Sequence, residues 1–337
     1  MSMPRHLPLF DPDASGHAPV GGGVAQVPAA SGAAPPGTRA VTEAIRTGGI
    51  ASLPGAIRRA DQARYQDVTC RTALNPTRGM PFAWTLNPYR GCTHGCHYCY
   101  ARRYHAHFGL GAGDDFASLI LVKTNMPAVL RRELARPSWN RALVALGTAT
   151  DGYQPIEGRY RLSRACLTAL ADARTPVSIV TKGPLVVRDV DVLQTLHQAA
   201  GCRVYVSVPT VDSDAWARLE PGTAPPLQRL RAVRTLADAG IAVGVLMCPI
   251  VPGIGSSRTQ LAATVKAIAD HGARFVGSGV MRLDAGTREH FLGFLAEAYP
   301  QLVEGYGRLY AGKDAAPGYR HEVEGVLAAL RTRHGFT

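Results

Sequence analysis

Cys92, Cys96 and Cys99 fall within one short run from Gly91 to Tyr104, spaced C-x3-C-x2-C, with Tyr98 directly before the last cysteine. Thiolates this close together wrap one face of a metal centre. A closed structural site takes four protein ligands, so a trio leaves a position for something exogenous. Three chemistries suit these residue types. The first is an iron–sulfur cluster with one open iron. The second is a zinc site completed by His94, His97, His105 or His107, because neutral imidazole is a good zinc ligand. The third is a thiol group, structural or redox, that holds no metal. A structural zinc site usually draws ligand pairs from separated segments, and no second Cys or Cys/His pair is spaced to match.

The remaining cysteines, Cys70, Cys166, Cys202 and Cys248, are isolated and suit small buried apolar positions. An odd total of 7 argues against a disulfide framework. The start of the chain lacks the apolar stretch of a secretory signal, and no run of about 18 apolar residues appears. A cytoplasmic protein with no membrane span is expected. The net charge is +12. It is carried by arginine far more than by lysine, which occurs only at positions 123, 182, 266 and 313. That balance suits a polyanionic partner such as nucleic acid, but the arginines are scattered, as they are on an ordinary cationic surface.

The elements that must position the cysteines are read from the chain in order. Residues 1–45 are rich in Gly, Ala and Pro with no apolar period, which predicts a disordered tail. Residues 46–82 carry weak helical hints broken by Gly48-Gly49 and Pro54-Gly55, and are expected to wrap the folded core. Residues 83–283 alternate regularly. Short apolar strands are expected at 83–86, 142–146, 177–180, 204–208, 241–247 and 275–280, separated by segments of helical period. Asn125, Asp189 and Ser257 are placed to cap three of those helices. Residues 284–337 read as a helical C-terminal extension. Six strand–helix units with doubly apolar strands predict an α/β fold with a parallel sheet, curled into most of a barrel or left open. Sites in such folds lie at the carboxyl ends of the strands. The cysteine loop follows the first strand and therefore lies at that end.

The motif Cys-x3-Cys-x-aromatic-Cys resembles the signature of the radical SAM enzymes. The wider stretch from Asn87 to Gly255 resembles a subgroup related to spore photoproduct lyase, often labelled DNA-repair-photolyase-like, with actinobacterial members of unassigned reaction. That narrower likeness rests on Tyr100-Ala101-Arg102, on Thr150 to Glu157, and on Pro249 to Gly253. It implies a partial (β/α)6 TIM-like barrel whose Cys92, Cys96 and Cys99 ligate a 4Fe–4S cluster. S-adenosyl-L-methionine would bind the open iron and be cleaved reductively to methionine and a 5′-deoxyadenosyl radical. The electron would come from an external reductant of the flavodoxin or ferredoxin type. Carried over by position, Tyr98 would lie against the adenine, Thr150 and Lys182 would meet the methionyl group, and Ser207 would lie near the ribose. The alternative of another class is a zinc-stabilised, non-catalytic nucleic-acid-binding protein.

One position departs from the lyase pattern. Where the lyase has the cysteine that returns a hydrogen atom to the product radical, this chain has Thr148, whose O–H bond is too strong for that role. The resemblance therefore assigns no hydrogen donor. Cys248, ending the fifth strand, is the substitute the sequence offers, and Tyr153 and Glu157 are its candidate substrate contacts.

Overall fold

The structure is a computed structural model in which residues 57–106, 113 and 115–336 are described. The expected tail and the start of the wrapping segment lie outside the described residues. Ten strands are found among those described: β1 (Arg64–Val68), β2 (Leu74–Pro76), β3 (Trp84–Leu86), β4 (Tyr89–Arg90), β5 (Leu119–Lys123), β6 (Val144–Leu146), β7 (Val177–Thr181), β8 (Cys202–Ser207), β9 (Ala242–Ile250) and β10 (Val276–Val280).

The six expected strands form the parallel run β3-β6-β7-β8-β9-β10 in sequence order, each joined to the next through a helical segment. That order is what successive right-handed crossovers build. The sheet is open, ending in β10 on one side and antiparallel β2 on the other, as a partial barrel requires. Val204, Val243, Val245 and Met247 are fully buried, beneath helices that contribute Leu170, Leu193, Leu230, Val233, Leu261 and Val265. Each such side chain stabilises the fold by about 1.5–3 kcal/mol.

The strands are less uniformly apolar than expected. Along β8 the buried Val204 and Val206 alternate with exposed Arg203 and half-buried Tyr205, so one face lies under helices and the other is only partly covered. A second sheet, β1-β5-β4, was not expected from the sequence. β1 reads Arg-Tyr-Gln-Asp-Val and lacks an apolar period, yet it pairs in parallel with β5 along five positions.

Two expected caps are corrected. Asn125 does not cap its helix: its amide accepts from the Cys70 N–H at 2.8 Å and donates to the Cys70 carbonyl at 3.0 Å, tying the helix to the chain before β2. Asp189 makes no cap either, because Arg164 and Arg188 take its carboxylate. Ser257 does cap the helix Arg258–Asp270, in a reciprocal box with Gln260. The C-terminal helices Thr287–Ala298, Val303–Leu309 and Pro317–Arg333 pack onto the barrel through Phe291, Tyr306, Val323 and Leu327.

Candidate active site

The cysteine loop leaves β4 at Gly91, whose φ of +80° lies where only glycine is comfortable. A Cβ there would stand 2.5 Å from the Leu119 carbonyl oxygen, so glycine is required on packing grounds as well. The Cys92 N–H donates to the Phe116 carbonyl at 2.9 Å, and turns close from Gly95 to Cys92 and from Cys99 to Cys96. Cys92 and Cys96 are buried, Cys99 is half-buried, and all three are free thiols. Burial pushes all three thiols up, Cys96 to about 12 even though the Lys182 ammonium pulls it down. A metal binding here must therefore displace protons.

Each end of the loop is pinned. On the β6 side the Thr150 hydroxyl donates to the Gly91 carbonyl at 2.6 Å. Gln154 donates to the same carbonyl at 3.2 Å and accepts from the Thr93 N–H at 3.1 Å. The Asp151 carboxylate joins three pieces. It accepts from the Thr181 hydroxyl at 2.7 Å and the Lys182 N–H at 2.6 Å, and lies 3.3 Å from the His94 imidazole. Burial alone would raise this carboxyl, but His94 and those donors outweigh it and hold it at about 2. On the far side Arg102, 2% exposed, donates to the carbonyls of Gly95 at 2.9 Å and Cys96 at 3.1 Å. The Thr287 hydroxyl, opening the first C-terminal helix, donates to the Cys99 carbonyl at 3.2 Å.

Above the loop the ends of β7 and β8 bring Lys182 and Ser207 together, with the ammonium donating to the hydroxyl at 2.6 Å. Lys182 lies 5.6 Å from the centre of the Tyr98 ring and 3.5 Å from Glu220, to which the Tyr98 hydroxyl donates. Glu220 also pairs with Arg229, which is fully buried. Burial would raise Glu220, yet Arg229 and Lys182 hold it at about 2. Burial works in the other sense on Lys182, and the negative charge of Glu220 overrides it, leaving the ammonium raised. The expected Tyr98, Lys182 and Ser207 thus stand together. The Thr150 hydroxyl is committed to the Gly91 carbonyl and to Gln154.

Residues 86–263, just over half the chain, match the Radical SAM superfamily. The chain belongs to that superfamily. It is therefore an enzyme of the radical SAM type, a class that uses S-adenosylmethionine and an iron–sulfur cluster and draws on an external reductant. It is 39% identical over 278 residues to an uncharacterized protein of Mycobacterium tuberculosis, covering 81% of this chain and 82% of that one. An uncharacterized protein of Methanocaldococcus jannaschii is 27% identical over 187 residues, 56% of this chain and 68% of its own. Among solved structures, a spore photoproduct lyase variant with bound AdoMet and dinucleoside spore photoproduct superposes with a TM-score of 0.62 at 16% identity, covering 82% of this chain and 81% of that chain. Spore photoproduct lyase complexed with dinucleoside spore photoproduct gives 0.61. At that identity the likeness establishes a shared fold.

The radical SAM donor set suits the loop's chemistry, with three free thiols on a rigid backbone and none tied up in a disulfide. Two of the histidines are occupied otherwise. His94 sits on Asp151, and His97 stacks on Phe294 while its Nδ1 meets the His290 Nε2 at 3.1 Å. His105 is buried edge-on to Phe116 with neither ring nitrogen hydrogen-bonded among the described residues, and His107 lies outside them. Among the described residues no three His, Cys, Asp or Glu draw together around a single metal ion.

Two expected substrate contacts are overturned. Tyr153 and Glu157 are both 0% exposed, and Glu157 is consumed by Tyr89, Ser163, Arg164 and Arg188. Cys248, by contrast, is exposed at the end of β9, while Cys166 and Cys202 are buried as expected. Glu220 and Arg229 are the residues that sequence reasoning missed. Leu219-Glu220-Pro221-Gly222 reads locally as a turn, and nothing in it points to Tyr98, 122 residues earlier. No helix among the described residues is long and apolar enough to cross a membrane.

Proposed function

We propose that this protein cleaves S-adenosylmethionine reductively at a 4Fe–4S cluster held by Cys92, Cys96 and Cys99, and that it abstracts hydrogen from a nucleic-acid substrate. The observation that carries the reading is the convergence of three consecutive strand ends on the cysteine loop: Asp151 after β6, Lys182 after β7 and Ser207 ending β8. When bound, the cluster supplies the electron that splits the sulfonium into methionine and a 5′-deoxyadenosyl radical.

The chain's own residues do the positioning. The Lys182 ammonium, kept charged by Glu220, offers a counterion to the methionyl carboxylate. The Tyr98 ring, fixed by its hydroxyl, offers a flat face to the adenine. Ser207 holds Lys182 and lies beside the same space. Thr150, Gln154 and Arg102 hold the backbone of the loop that carries the three thiols. The electron comes from a flavodoxin- or ferredoxin-type donor. A net charge of +12 and the dinucleoside held by the structurally similar lyase support nucleic acid as the substrate class.

Anaerobic purification with iron and sulfide supplied tests the reading. The expected result is a brown protein with about four irons per chain, bleached by dithionite, that forms 5′-deoxyadenosine from S-adenosylmethionine. Stoichiometric zinc without iron under those conditions would overturn it and favour a zinc-stabilised binding protein. The substrate class is tested by deuterium transfer into 5′-deoxyadenosine from labelled oligonucleotides. Transfer from peptides alone would reject nucleic acid.

A further inference from the structure

The segment from Leu219 to Gly222 is locked onto the cysteine loop by its backbone. The His97 N–H donates to the Leu219 carbonyl at 3.0 Å and the Gly222 N–H donates to the His94 carbonyl at 3.0 Å. Gly222 lies so close that a Cβ would stand 2.1 Å from the Thr93 carbonyl oxygen. Glu220 sits in the middle of this lock, and its two carboxylate oxygens are divided. Oε1 takes the Tyr98 hydroxyl and faces Lys182 at 3.5 Å, while Oε2 takes Arg229. Arg229 is anchored in turn by donating to the carbonyls of Ala224 at 2.9 Å and Ser207 at 2.7 Å.

We infer that Glu220 is a positioning residue for S-adenosylmethionine: one buried carboxylate fixes both the Tyr98 ring and the Lys182 ammonium, and Arg229 fixes the carboxylate. The inference rests on the function proposed above. Arg229 takes Oε2, which leaves Oε1 for the Tyr98 hydroxyl and the Lys182 ammonium. A lysine left unpartnered keeps the rotamer freedom of its long side chain. Holding it in advance removes part of that ordering cost from cofactor binding. The carboxylate also keeps the ammonium charged against the pull of burial, so the site presents a cation to an anionic group.

The test is Glu220→Gln, compared with unaltered protein for iron content, for S-adenosylmethionine affinity by equilibrium dialysis, and for the change the cofactor makes to the electron paramagnetic resonance of the reduced cluster. The expected result is a full iron complement and about tenfold or greater weakening of cofactor affinity, the loss appropriate to a charged hydrogen bond. 5′-Deoxyadenosine formation at saturating cofactor should be changed less than the affinity. If the buried Arg229 left without its anion prevents folding, Glu220→Gln with Arg229→Gln removes that charge and is measured in its place. Full iron with unchanged affinity overturns the inference. So does loss of iron from both variants, which would make Glu220 a strut of the loop. Unaltered protein that takes up neither iron nor cofactor overturns the proposed function itself.

Discussion

Two buried networks of charge lie near the strand ends, and they do different work. One joins Glu220 to Arg229, Lys182, Tyr98 and Ser207. The other joins Glu157 to Arg188 at 2.9 Å and to Tyr89, and continues through Asp189 to Arg164. Both carboxylates are almost entirely buried. In the first, two cations overcome burial and hold Glu220 at about 2; in the second, burial prevails and Glu157 stays above the usual carboxylate range. The first touches the cysteine loop through Tyr98. The second ties β4 to the segments that follow β6 and β7, and its members face one another. Burial of charge therefore does not by itself mark a site; the cysteines beside the first network do.

The largest expected effect lies at the loop itself. Cys92→Ala, Cys96→Ala and Cys99→Ala should each abolish iron retention and cofactor cleavage, measured by iron content and 5′-deoxyadenosine, whereas Cys166→Ala should leave both intact. Equal loss in all four would break the distinction between ligand and core cysteines.

Next comes the second network. Glu157→Gln takes away one of the two carboxylates on Arg188, Asp189 remaining, together with the charged acceptor of Tyr89, and should lower stability by about 1–3 kcal/mol in denaturant unfolding. Cofactor affinity of the folded fraction should be unchanged; a weakened affinity would erase the contrast between the networks. Within the first network, Ser207→Ala removes one partner of Lys182 and should weaken cofactor binding by roughly two- to tenfold, the range of a single hydrogen bond. Unchanged affinity would show that Glu220 and Tyr98 hold Lys182 without help. Smallest of all is Lys266→Ala, which breaks an exposed pair with Asp270 and should leave the melting temperature within error.

The parts legible in the sequence were those with local signals. Apolar runs such as Ala142–Leu146 and helical periods such as Leu162–Ala173 announced the six parallel strands and the helices between them. The cysteine spacing announced its own chemistry. What could not be read was long-range. β1 has an exposed, polar pattern and exists because β5 offers it a partner. Asn125 looked like a cap because its type and place suited one, but Cys70, 55 residues away, makes the better partner. Glu157 looked like a substrate contact for being polar and just past a strand. Its direction was decided by Arg188, which no local pattern reveals. Tyr100-Ala101-Arg102, part of the family likeness, has a physical basis in the carbonyls that Arg102 holds.

The small sheet bears on where the chain can be cut. β4 runs directly into Gly91 and Cys92, β4 is paired to β5, and β5 is paired to β1, so the cysteine loop is moored to residues 64–68. The superfamily match begins only at residue 86. A shortened chain starting there would discard β1, β2 and β3, baring the edges of β5 and β6. Trimming for expression or crystallisation should therefore spare everything from Ile57 onward, however dispensable that stretch looks beside the barrel.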